Sequence, residues 1–303
     1  MLIANPIYDT VFKYLMENLK VAKGIISTII NEEILTLDLA AQEHTYQSVE
    51  PALMILHLDF IAKIRLKQGG SKNVLIELQK SNLAYDILRF RRYLGKKYLQ
   101  PDEVILPDGT RAQEALPIIT IYFLGFNIEE DLPAVIKVNR KYIDLLGGKE
   151  ITEKNDFIER LMHDSYVIQV KRLDLKMRTE LEYVLSVFKQ ENFIRNMERR
   201  VKRYDYEPQD ELMRLILRQL EKAAGDNKLL EQLEMEELAE IELENTFGVM
   251  KRQLQQKDKE LEQKDKALGE KDKALDETIK AKDQMIEEKE KLIQDLLSQL
   301  KNK

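Results

Sequence analysis

The order of apolar and polar positions divides the chain into elements. Phe12, Leu15, Met16, Leu19 and Ala22 recur at helical spacing within residues 6–30, and Asp9 lies in the opening turns. A second short helix is expected around residues 23–30. Residues 53–67 read as one long strand. Its first part, His57-Leu58-Asp59-Phe60-Ile61, is mostly apolar, and Ala62-Lys63-Ile64-Arg65-Leu66-Lys67 alternates cleanly. Gln68-Gly69-Gly70-Ser71 reads as a turn between strands, followed by a strand over 74–79. A helix is expected over 83–98 and a nearly all-apolar, centrally placed strand over 118–126. Further strands are expected at 135–138 and 166–170, a short helix at 156–163, and long helices over 176–202 and 209–247. This order predicts an α/β fold, a mixed sheet flanked by helices.

From Leu254 the pattern changes to a repeat of seven. Leu254, Leu261, Leu268 and Leu275 form one column; Ile279, Ile286, Ile293 and Leu300 form a second, four residues on. The two columns fit one heptad register as d and then a. The other seam position holds Asp258, Asp265 and Asp272 in the first half and Lys282 and Lys289 in the second. The tail is therefore either a long solvated helix or a weak coiled coil joining copies of the chain.

Composition narrows the chemistry. The 303 residues include no cysteine and no tryptophan. That excludes disulfide frameworks, zinc fingers and thiol nucleophiles. The net charge of −6 argues against a generally basic nucleic-acid coat protein. The charge is unevenly spread. Residues 1–175 hold 22 basic and 24 acidic residues, residues 176–250 hold 12 and 17, and residues 251–303 hold 14 and 13. Three parts follow: a globular region 1–175, a helical region 176–250 and a heptad tail 251–303. The longest apolar run, residues 116–126, is too short to span a bilayer. With no targeting signal visible at the N-terminus, a cytoplasmic protein without membrane contact is expected.

Two acids interrupt apolar strands, Asp59 and Glu77. Paired strands would bring their carboxylates to one point, and Gln79 shares the face of Glu77. Two carboxylates suit a hard Mg²⁺ ion, which polarises a phosphodiester and acidifies an attacking water. The next helix carries Arg89, Arg91, Arg92, Lys96 and Lys97 with Tyr85, Tyr93 and Tyr98 interleaved, and no acid within that basic cluster. Such a helix could hold DNA phosphates. Read singly, each feature is more ordinary: a strand acid at an edge, a solvated basic face. A second basic cluster, Arg195, Arg199, Arg200, Lys202 and Arg203, could touch DNA or balance the acidic helices that follow.

These stretches resemble the PD-(D/E)XK nuclease superfamily, in particular the Rpn-type recombination-promoting nucleases, a family that includes proteins labelled transposases. The resemblance is carried by Asn5-Pro6-Ile7-Tyr8-Asp9-Thr10-Val11-Phe12-Lys13, Leu58-Asp59-Phe60, Val74-Leu75-Ile76-Glu77-Leu78-Gln79-Lys80-Ser81, and Arg89-Phe90-Arg91-Arg92-Tyr93-Leu94-Gly95-Lys96-Lys97-Tyr98. It covers roughly residues 5–100. It implies a restriction-endonuclease-like core in residues 1–175 and a Mg²⁺-dependent DNA endonuclease, with Mn²⁺ as a substitute ion. Asp59 and Glu77 would be metal ligands, and Asp9 would complete the metal site. Gln79 stands where the superfamily usually has lysine. Arg92 and Tyr93, with Arg89 and Lys96, would flank the DNA.

Two functions therefore stand as expectations. One is a DNA endonuclease that oligomerises through the heptad tail. The other is a catalytically weak or inactive nuclease-fold protein that binds DNA or protein as a scaffold.

Overall fold

The computed structural model describes residues 1–39, 56–65, 71–81, 87–106, 108–128, 131–195, 197 and 199–301. Residues 68–70 of the expected turn, both ends of the long strand and the first residues of the basic helix fall outside them, and Ser71 opens a strand instead. The chain opens with strand β1 (Leu2–Ala4), then helices α1 (Asp9–Met16) and α2 (Leu19–Ile30). The two helices expected within residues 6–30 are present, with the break before Leu19 and not before residue 23. The break is local: the Asn18 side chain accepts from the Val21 backbone N–H and starts α2 afresh. Asn31, at a left-handed φ of 55°, ends it.

Three strands follow, β2 (Ile34–Leu39), β3 (Leu56–Arg65) and β4 (Ser71–Ser81), then helix α3 (Ile87–Leu99). A hairpin of β5 (Asp102–Ile105) and β6 (Arg111–Glu114) leads to β7 (Ile118–Leu124) and β8 (Val135–Val138). A second hairpin, β9 (Tyr142–Asp144) and β10 (Lys149–Ile151), precedes α4 (Asp156–Leu161) and β11 (His163–Gln169). The last elements are a 3₁₀ turn (Val170–Arg172), α5 (Glu180–Ser186), β12 (Val201–Arg203), α6 (Glu211–Gly225) and α7 (Asn227–Lys301).

The main sheet has six strands in the order β2-β3-β4-β7-β11-β8. The first three are antiparallel neighbours; β4, β7 and β11 run parallel, and β8 returns antiparallel. The expected mixed α/β sheet is present. One face carries Leu58, Phe60, Ala62, Val74, Ile76, Ile121, Phe123 and Ile168 into the main core, where α1, α2, α5 and α6 pack. Phe12, Phe123 and Phe188 meet there with ring centroids 5.0 to 6.1 Å apart. The opposite face is covered by a smaller cluster of Leu75, Val104, Leu116 and Ile118, against which Ile61 and Leu94 pack.

Residues 176–202 are not a long helix. A capping box between Thr179 and Glu182 starts α5 at Glu180, and the helix is finished after seven residues. Phe188 turns into the core, Asn192 takes a left-handed φ of 57°, and β12 then pairs with β1. The expected helix over 209–247 is also two helices. It breaks at Gly225-Asp226, where the Asp226 carboxylate accepts from the N–H groups of Lys228 and Leu229 and caps α7.

Contacts divide the chain into residues 1–240 and residues 241–303. Residues 176–240 share the main core, through Val184, Leu185, Phe188, Met213, Ile216, Leu220 and Leu233, and are no separate helical region. The unit 241–303 is described as continuous helix up to Lys301. Among the described residues, no helix is long and apolar enough to cross a membrane.

Candidate metal and phosphate site

Strand β3 alternates. Leu58, Phe60, Ala62 and Ile64 are buried in the main core, so positions 57, 59, 61 and 63 belong to the other face. The register then builds rows across that face. Asp59 is the direct partner of Glu77 on β4, and His57 is the partner of Gln79. Glu77 pairs in turn with Thr120 on β7, and Thr120 with Ser165 on β11. The backbone therefore sets Asp59, Glu77, Thr120 and Ser165 in one row across four neighbouring strands. Directly paired positions have Cβ atoms about 4.5–5.5 Å apart. The side chains of Asp59, Glu77 and Gln79 lie outside the described residues, and register alone places these three.

The described end of the row is closed by its own hydrogen bond. Thr120 is fully buried, and its hydroxyl donates to the Ser165 hydroxyl at 2.7 Å. Lys63 is exposed on the same face as Asp59 but four residues along the strand, about 14 Å. Lys80 belongs to the opposite face, as register partner of Leu56.

Helix α3 covers this face. Phe90 is buried with its ring 5.3 Å from that of Tyr122. Leu94, one turn on, packs on Leu75, Val104, Leu116 and Ile118. Tyr98, a further turn on, shares a hydrogen bond of 2.7 Å between its hydroxyl and Nδ1 of His163. Spacing by four makes this the inner stripe of the helix. Arg91 and Arg92 are consequently exposed, and Lys96 is half-covered. The side chains of Arg89 and Tyr93 are outside the described residues.

Sequence reading missed the Tyr98–His163 contact. Burial, together with the Arg140 guanidinium, holds His163 below its ordinary pKa against the pull of Asp164. Burial pushes the Tyr98 hydroxyl up; Arg140 opposes this and Tyr122 adds to it. The tautomer of the His163 ring decides which of the two groups donates. Next to it, Arg140 spends its whole guanidinium inside the protein: Nε pairs with Asp164 at 2.9 Å, and one terminal nitrogen pairs with Glu159 at 3.0 Å. The other terminal nitrogen donates to the carbonyls of Glu159 and Met162. The Tyr142 hydroxyl also donates to Glu159, at 2.6 Å. This cluster fixes structure and leaves no charge for a ligand.

Asp9 lies on a helix, outside the strand register that pairs Asp59 with Glu77. It opens α1, whose Val11, Phe12 and Leu15 are buried in the core on the other side of the sheet. Its own N–H donates to the Glu236 carboxylate, which also accepts from Thr10 at 3.1 Å. Glu236 thereby caps α1 from far along the chain. The second basic cluster is largely spent within the protein: Arg200 pairs with Glu234 at 3.1 Å and with Glu237 at 3.3 Å, and Arg203 with Asp205 at 3.0 Å. Lys202 is buried and donates to the Lys189 carbonyl.

Among the described residues, no group of three or more His, Asp or Glu side chains could hold a metal ion. The donor types in the Asp59–Glu77 row, two carboxylates with the Gln79 amide on the same face, suit a hard cation bound through oxygen. Comparison with family models, with characterised proteins and with solved structures found no match to this chain.

Proposed function

We propose that the protein is a Mg²⁺-dependent DNA endonuclease that hydrolyses phosphodiester bonds, of the recombination-promoting nuclease type. The observation that carries the reading is the register of Asp59 directly opposite Glu77, on the face that α3 covers. The Asp59 and Glu77 carboxylates hold the cation, with the Gln79 amide beside them. The bound cation supplies Lewis acidity toward the phosphodiester and its attacking water. Arg92, exposed on α3, holds backbone phosphates together with Arg89, Tyr93 and Lys96. Buried Thr120 and half-buried Ser165 satisfy one another and floor the row without acting on the substrate.

The test is nicking of supercoiled plasmid with Mg²⁺ or Mn²⁺. Wild type should nick, while Asp59→Ala and Glu77→Ala should lose nearly all activity and Arg92→Ala should bind DNA with a shallower salt dependence. Equal nicking by wild type and both acid variants would falsify the reading.

A second reading, a catalytically weak nuclease-fold scaffold that binds DNA or protein, is favoured by one observation. No lysine shares the row: Gln79 stands beside Glu77, Lys63 lies four residues off and Lys80 belongs to the other face. DNA binding without metal-dependent nicking selects this reading.

A further inference from the structure

Helix α7 carries an apolar column that is exposed among the described residues. Leu254, Leu261, Leu268 and Leu275 occupy d; Ile279, Ile286 and Ile293 continue at a. Their exposure runs from 47% at Ile279 to 62% at Leu254. The rest of the seam is charged, and its sign changes where the column changes. Asp258, Asp265 and Asp272 sit at a beside the leucines, while Lys282 and Lys289 sit at d beside the isoleucines. All five are exposed.

This pattern discriminates between pairing directions. In a parallel pair in register, a faces a and d faces d. Asp265 would then meet Asp265, Asp272 would meet Asp272, and Lys282 and Lys289 would each meet their own copies. In an antiparallel pair a faces d, and one register makes every central layer complementary. Centred on Glu277, it sets Leu275 against Ile279, Asp272 against Lys282, Leu268 against Ile286, Asp265 against Lys289 and Leu261 against Ile293. The two-fold repeats each layer. Outside this span Asp258 faces Leu296, a mismatch, and Asp276 flanks Asp283. The parallel pair has flanking Lys257–Glu262 and Lys271–Asp276 contacts in its favour. Such exposed pairs contribute about 0.2–1 kcal/mol each. Like charges in the seam are desolvated against one another, which costs more.

We propose that the partner of this helix is a second copy of the chain, paired antiparallel over residues 261–293 about a two-fold at Glu277. The inference rests on the heptad tail and is independent of the nuclease reading, since pairing and nicking are measured separately.

The full-length chain has no cysteine, so single cysteines report without background. Leu261→Cys and Ile293→Cys are prepared separately, mixed to allow exchange, and oxidised. The expected result is a disulfide-linked dimer in the mixture and none in either variant alone. Two copies of residue 261 would lie 32 helical residues apart, about 48 Å, far beyond disulfide reach. Disulfides within each variant alone, or none in the mixture, would overturn the proposal. Sedimentation guards against local damage by the cysteines. Asp265→Lys with Asp272→Lys should dissociate the wild-type dimer, and adding Lys282→Asp with Lys289→Asp should restore it. A monomeric wild type, or the same dimer in all three chains, would also overturn it.

Discussion

Lys202 shows how one residue couples the fold to pH. Its ammonium is buried between β12 and the segment after α5, where it donates to the Lys189 carbonyl. Burial pushes its pKa down to about 7; nearby Lys189 adds to this and Glu191 opposes it. The unfolded chain keeps the ordinary value of 10.5. Between these two values the unfolded chain holds a proton that the folded chain lacks. Stability from this residue therefore rises with pH from about 7 to 10.5, by up to about 1.4 kcal/mol per unit, and the full cost is present below 7. Lys202→Met removes the titration. Its stability relative to wild type, followed by urea unfolding, should be most favourable near pH 7 and decline as pH rises. A constant difference across that window would rule out a buried titrating amine.

At the scale of elements, one guanidinium joins β11 to α4. Arg140 and Glu159 are only 11% and 10% exposed in their side chains, and Arg140 ties Asp164 on β11 to Glu159 on α4. Arg140→Ala leaves the half-buried Asp164 carboxylate without its guanidinium, and buried Glu159 with only Lys154, 3.7 Å away, as a cation. The expected loss is about 3–5 kcal/mol in urea unfolding, with only partial recovery in Arg140→Lys, whose point charge cannot fork between both acids. A loss below about 1 kcal/mol would show the cluster to be solvated.

Elements also show what was legible in the chain. β3, β4 and β7 could be read because long apolar or alternating runs record their own burial. Strands of three or four residues, such as β1, β9, β10 and β12, could not, because pairing partners distant in sequence define them. The helix expected over 176–202 failed for the same reason: helix-compatible residues were claimed by β1 and by the core at Phe188. In the site, Asp59 and Glu77 were visible as acids interrupting apolar strands, and their register agrees with that pairing. Tyr98 with His163 was invisible, since no local pattern joins residues on either side of β7. Asp9 matched a motif, and no strand register relates it to Asp59 and Glu77.

For the whole molecule, the net charge of −6 gives no guide to function. Acidic Glu234, Glu236 and Glu237 are spent on Arg200, on the start of α1 and on the Tyr8 hydroxyl. On α3, Arg91 and Arg92 remain exposed. The central claim is narrower than DNA cleavage: the register partners Asp59 and Glu77 together hold one divalent cation. Titration of the full-length protein with Mn²⁺, read by the loss of the free ion's paramagnetic resonance signal, tests it most directly. The account predicts one bound ion per chain, weakened more than about tenfold in both Asp59→Ala and Glu77→Ala and retained in Arg92→Ala. Equal Mn²⁺ binding by all four proteins, or none by wild type, would contradict it.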